Sequence, residues 1–120
     1  MAINSCEKGK RGERAWAQWL QFNLNCSARR GRQYSGSPDS PDIVCESLPG
    51  IHCEVKAVER LNLDEAMRQA VLDAGPKIPY VAHKKNRGEW MITLRARDLK
   101  SYALLLANHL NKSLSNVKSL

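Results

Sequence analysis

The strongest constraint on the fold lies near the middle of the chain. Leu63, Ala66, Met67, Ala70, Val71 and Ala74 recur at helical spacing, Asn62 or Asp64 can cap their start, and Gly75-Pro76 ends them. A short amphipathic helix needs a surface to lie on, and strand-like runs flank this one on both sides. Upstream, residues 42–46 and 51–58 read as two strands joined through Leu48-Pro49-Gly50, whose Pro-Gly pair suits a tight turn, so an antiparallel hairpin is expected. Downstream, residues 78–82 and 89–94 read as a second strand pair around the polar turn His83-Lys84-Lys85-Asn86-Arg87-Gly88.

The remaining elements fall outside this centre. Ala15, Trp16, Trp19 and Leu20 mark a first helix over 7–24, and Leu99, Tyr102, Ala103, Leu106, Ala107 and Leu110 mark a last one over about 96–110. Both Trp16 and Trp19 are read as packing residues. A basic stretch at 29–34 can form a short strand, and Ser35-Gly36-Ser37-Pro38-Asp39-Ser40-Pro41 is dense in turn formers and reads as a loop. Residues 111–120 are polar and are expected to fray, leaving one domain over 1–110. The order α-β-β-β-α-β-β-α implies an α/β fold with a mixed sheet rather than alternating βαβ units. That order and the lack of a glycine-rich phosphate loop argue against a doubly wound nucleotide-binding fold.

Charge narrows the partners. Nineteen Lys and Arg against twelve Asp and Glu give a net charge of +7 over 120 residues, which favours polyanions. No apolar run approaches the roughly 20 residues that span a bilayer, and residues 1–10 are polar rather than signal-like, so an intracellular, cytoplasmic protein with no membrane partner is expected. Cys6, Cys26, Cys45 and Cys53 form no CxxC pair, which argues for reduced, mostly buried thiols over a zinc site.

The chemistry gathers around the hairpin. Side chains alternate along a strand, so Glu54 and Lys56 share one face, His52 joins them, and Cys53 and Val55 face the core. If the turn is centred near Pro49-Gly50, Asp42 comes close to the Glu54–Lys56 region. Two carboxylates can hold Mg2+ together with water and substrate phosphate, and a neighbouring lysine can orient water or stabilise charge on phosphate oxygens. Glu13 borders the apolar stripe of the first helix, where a carboxylate needs a partner or a metal. Lys8, Lys10, Arg11 and Arg14 stand beside it as candidate phosphate contacts. Read alone, His52 is an ordinary half-exposed strand histidine, and Gln69 lies off the apolar face, where a solvated glutamine explains it as well as a site residue does.

The run Lys8-Gly9-Lys10-Arg11-Gly12-Glu13-Arg14, then Ser37-Pro38-Asp39-Ser40-Pro41-Asp42, then Glu54-Val55-Lys56, resembles the E…PD…ExK signature of PD-(D/E)xK nucleases, and among them archaeal-type Holliday-junction resolvases and their phage relatives. The similarity covers most of residues 8 to about 95. It implies a restriction-endonuclease-like mixed central sheet flanked by helices and a homodimer acting on four-way DNA junctions. It also implies metal held by Glu13, Asp42 and Glu54 with the Val55 carbonyl assisting, and Lys56 and Gln69 as catalytic residues. Ser35 or Ser37 would match a serine that matters before the PD motif in such enzymes. Arg30, Arg32, Lys84, Lys85 and Arg87 join the first-helix cations as candidate DNA contacts. The expected ion is Mg2+, with Mn2+ able to substitute.

ExK and PD are each weak signals, because Glu and Lys two apart occur on many solvated strands and PD is a common turn element. The weight lies in their combination and order. Two alternatives stay open: a phage-type endonuclease that nicks or cuts duplex or flap DNA, and a non-catalytic basic DNA-binding module.

Overall fold

The computed structural model describes the backbone of residues 5–31 and 43–118 and the side chains of residues 9–31 and 43–114. The elements run α1 (Ser5–Leu24), β1 (Ala28–Arg30), β2 (Ile43–Cys45), β3 (Ile51–Ala57), α2 (Leu63–Ala74), β4 (Ile78–Lys84), β5 (Met91–Leu94), a 3-10 turn (Ala96–Asp98) and α3 (Leu99–Lys118). The expected order α-β-β-β-α-β-β-α is the order found, and the fold is α/β with a mixed sheet flanked by helices.

The five strands lie in sequence order. β1–β2, β2–β3 and β4–β5 are antiparallel, with Ile43 opposite Cys53 in the expected first hairpin. β3 and β4 are parallel, so β3, α2 and β4 make one βαβ unit inside a sheet otherwise built from hairpins. The 12-residue α2 supplies the crossover that parallel strands require. Of the two caps open in the sequence, Asn62 is used: its Oδ1 accepts the Glu65 N–H at 3.1 Å. Gly75 ends the helix at φ 57°, a conformation that suits glycine.

The sheet has a core on each face. On one side Cys53, Val55, Tyr80, Ala82 and Ile43 meet Trp16, Ala17 and Leu20 of α1, with Tyr102 and Leu106 of α3 packed against them. Trp16 Nε1 donates to Tyr80 Oη at 3.0 Å, which satisfies both buried polar groups. Trp19 stacks on Trp16 with 4.9 Å between centroids but stays 37% exposed, so only Trp16 of the expected pair belongs fully to the core. On the other side Ala66 and Ala70 of α2 cover Val81, helped by Leu63 and Met67. α1 comes very close to the end of β3, because a Cβ on Gly12 would lie 2.9 Å from the Ala57 Cβ.

The last helix departs from its expected bounds. It continues past residue 110 to Lys118, with no proline or glycine to stop it. Two contacts hold its far half: His109 Nε2 donates to Leu24 O at 2.8 Å, and Asn25 Nδ2 donates to Ser113 Oγ at 3.1 Å. The expected apolar stripe also splits. Tyr102, Leu106 and Leu110 are at least half-buried, whereas Leu99, Ala103 and Ala107 are exposed. Among the described residues no helix is long and apolar enough to cross a membrane.

The described thiols are free, with Cys26 and Cys53 buried and Cys45 half-buried; the Cys6 side chain lies outside the described residues. A hydrogen bond from the Cys26 thiol lowers the Cys45 pKa to about 6, against burial and with help from the Ser47 and Leu48 backbone, and the same contact raises that of Cys26. Iodoacetamide at pH 7 is expected to alkylate Cys45 ahead of Cys26 and Cys53, with a rate rising through about pH 6 rather than pH 9. Peptide mapping by mass spectrometry reads this directly, and equal labelling of all three would contradict it.

Candidate active site

β3 carries the centre of the site. His52, Glu54 and Lys56 alternate with the core residues Cys53 and Val55, so the three share the sheet face that α2 covers. Glu54 is buried at 8% exposure and His52 at 2%, and His52 Nε2 donates to Glu54 Oε1 at 3.1 Å. His52 was expected to be half-exposed; α2 encloses it instead. Lys56, half-buried, stands at the open end of the row with His83 of β4 as its Cα partner. Burial lowers the pKa of His83, and its Nε2 lies 3.0 Å from Thr93 Oγ1.

α2 adds a carboxylate that the sequence pattern did not single out. Asp73 lies one turn beyond Gln69, and one donor atom from each of Asp73, His52 and Glu54 falls within 4.8 Å of the others. Gln69 Nε2 donates to both Asp73 oxygens, at 3.0 and 3.1 Å. Gln69, itself exposed, is linked to the Glu54 region through Asp73. The signal was present in the spacing: Asp73 follows the core residues Ala66 and Ala70 by seven and three positions, which turns it toward the sheet.

Carboxylates this close to one another and this little exposed are costly unless a cation or donors compensate them. The imidazole and the Gln69 amide supply part of that compensation. A donor set of two carboxylates and one imidazole also suits a divalent cation, in which the oxygens fit Mg2+ or Mn2+ and the nitrogen favours the transition metal.

Glu13 is positioned differently from expectation. Its Oε2 accepts Arg30 Nε at 2.6 Å, and the pair is largely shielded from solvent. Arg30 is opposite Ile43 and Ile43 opposite Cys53, which assigns the pair to the α1 side of the sheet, across from Glu54. Arg30 is thus tied to a carboxylate rather than presented free to phosphate. The Val55 side chain belongs to the core.

Of the other candidates, Arg11, Arg14, Lys85 and Arg87 are exposed and Lys10 and Lys84 half-buried. Arg87, at the tip of the β4–β5 hairpin, adopts φ 60°. Asp42, Ser35, Ser37 and Arg32 lie outside the described residues, as does the Lys8 side chain. Asp42 immediately precedes Ile43 in the chain.

No protein-family model matches the chain, and no curated protein does. Among solved structures it is similar to Archaeoglobus fulgidus Hjc, a Holliday junction resolvase from an archaeal hyperthermophile. The identity is 30%, the match covers 72% of each chain, and the TM-score is 0.52.

Proposed function

The chain belongs to the archaeal-type Holliday-junction resolvase family, and from that premise we propose that it is a divalent-metal-dependent DNA endonuclease that cuts four-way junctions as a homodimer. The observation that carries the reading is the buried Glu54, set beside Asp73 and His52 on a strand that presents Lys56 from the same face. A non-catalytic binding module gains nothing from concentrating carboxylates where phosphate must approach.

In this reading Asp42 and Glu54 hold the metal, with Asp73 next to them and the Val55 carbonyl at the strand between Glu54 and Lys56. Bound there, Mg2+ or Mn2+ supplies charge neutralisation of the phosphate and a more acidic water. Lys56 places its ammonium beside the scissile phosphate, where it orients water and stabilises charge gathering on the phosphoryl oxygens. His52 holds one oxygen of Glu54, and Gln69 holds Asp73 through both of its oxygens. Glu13 is clamped by Arg30 on the α1 side of the sheet, and the first-helix cations Lys8, Lys10, Arg11 and Arg14, with Lys84, Lys85 and Arg87, make a basic surface for the DNA backbone. Arg32 and either Ser35 or Ser37, from the segment leading to Asp42, add further backbone contacts.

The second copy is proposed to cover the outer face of α3, where Leu99, Leu104 and Leu114 are each more than half exposed.

Incubation of the protein with a labelled four-way junction, its matched duplex and a flap, with and without Mg2+ or Mn2+, tests the proposal. Metal-dependent cleavage of the junction in preference to the other two is the expected result. Equal cutting of duplex or flap would favour the phage-type endonuclease, and binding without cleavage under any metal would leave only a binding module.

A further inference from the structure

A groove of about 520 Å3 opens between the start of α1 and the β4–β5 hairpin, lined by Arg11, Gly12 and Ala15 of the helix and by Ala57, Lys84, Asn86 and Trp90. We propose that this groove binds one unstacked nucleotide of the DNA strand next to the cleavage site, with the base against Trp90 and the flanking phosphates on Arg11 and Lys84. The inference rests on the nuclease reading and names what that site selects.

Each wall contributes a different part of nucleotide recognition. Arg11 and Lys84 form no ion pair among the described residues, and Lys84 Nζ instead sits 5.6 Å from the centroid of the Trp90 ring. Such a cation is readily surrendered to a phosphate, which leaves the indole face to a base. Trp90 is half-buried and packs against Trp16 of the core, with 5.1 Å between centroids and 49° between planes. The Asn86 backbone N–H donates to Glu59 Oε1 at 2.6 Å, which anchors the turn while the exposed amide side chain can both donate and accept at a base edge. The missing side chain at Gly12 lets α1 close over Ala57 and so shapes the floor.

This combination is chemically specific. A phosphate backbone alone would use the two cations but neither the indole nor the amide. A base inside a continuous duplex stack offers no free face, whereas an unstacked base offers the π-surface that aromatic platforms take without regard to sequence. Ala57 follows Lys56 on β3, so the groove opens at the Lys56 end of the strand, on the opposite sheet face from Glu54. A strand lying in it turns around that end of the sheet to reach the proposed site, which favours DNA whose stack is interrupted, as at a branch point.

The test is an anisotropy titration in EDTA of the full chain with labelled hexathymidylate and with an abasic sugar-phosphate hexamer. Loss of the bases is expected to weaken binding about tenfold or more. Trp90→Leu and Asn86→Ala are each expected to weaken hexathymidylate severalfold while leaving the abasic hexamer unchanged. Equal affinity for the two hexamers, or variants that lower both alike, would overturn the proposal. Should Trp90→Leu fail to fold, as judged by thermal melting, the exposed Asn86→Ala alone decides. Because the titration requires no cleavage, its failure leaves the nuclease reading intact, and a protein that binds hexathymidylate as expected but cuts no junction would sink the nuclease reading and the placement beside a cleavage site while keeping the groove as a nucleotide site.

Discussion

A Glu54→Gln protein is expected to bind a four-way junction as tightly as the parent, or slightly more tightly, and to cut none of it. Glutamine has the shape of glutamate, and its side-chain oxygen can still accept the 3.1 Å hydrogen bond from His52 Nε2, so the buried end of the row keeps its packing. What is lost is the negative charge that the metal requires, and removing negative charge does nothing to hinder phosphate approach. Asp42→Asn should behave in the same way. Lys56→Ala tests the other half of the site: it should slow cleavage by about a hundredfold or more, the usual loss for one stabiliser of developing charge, while manganese binding by calorimetry survives. Cleavage by Glu54→Gln at a rate near that of the parent, with Mg2+ present and the fold verified by circular dichroism, would show that the carboxylate is not part of the machinery.

Local patterns were legible and non-local ones were not. The Pro49-Gly50 turn sets the β2–β3 hairpin, and the two-residue strand period sends Glu54 and Lys56 to one face; both follow from neighbours in sequence. Asn62, the alanine-rich face and Gly75 define α2 in the same local way. Nothing in the periodicity says which strand lies beside β3, so the parallel β3–β4 pairing through α2 emerges only in three dimensions. The surroundings of the site depend on that pairing. Placing α2 over β3 buries His52 and brings Asp73 to Glu54; the helical spacing turns Asp73 toward the sheet but does not say that Glu54 lies there. Glu13 illustrates the converse: its position beside the apolar stripe signalled the need for a partner, but a basic strand supplied one in Arg30. On α3, the apolar stripe was readable, but how much of it the small sheet could cover was not.

That uncovered half of α3 leads to the second large effect. Leu99, Ala103, Ala107 and Leu114 fall along one line of the helix at spacings of four, four and seven residues, with Leu104 at its edge, and all five are exposed. The inward line of Tyr102 and Leu106 packs against the core of the sheet, and among the described residues the outer line stays exposed. Exposed apolar area costs about 25 cal/mol per Å2 relative to burial, and a contiguous apolar line marks an interaction surface more often than scattered single residues do. In the proposed dimer, a two-fold contact made by the same line on a second copy would remove both from water and set two sites about the axis, matching a junction with approximate two-fold symmetry. One binding event would then cut both opposing strands. With a supercoiled plasmid extruding a cruciform, the parent is expected to give linear product directly and to scatter light as a dimer. Ala103→Glu combined with Ala107→Glu, both at exposed positions and both compatible with a helix, should give a folded monomer that accumulates nicked circles before any linear form. A parent protein that is itself monomeric and accumulates nicked circles would remove the paired-incision reading and leave an endonuclease that nicks one strand at a time.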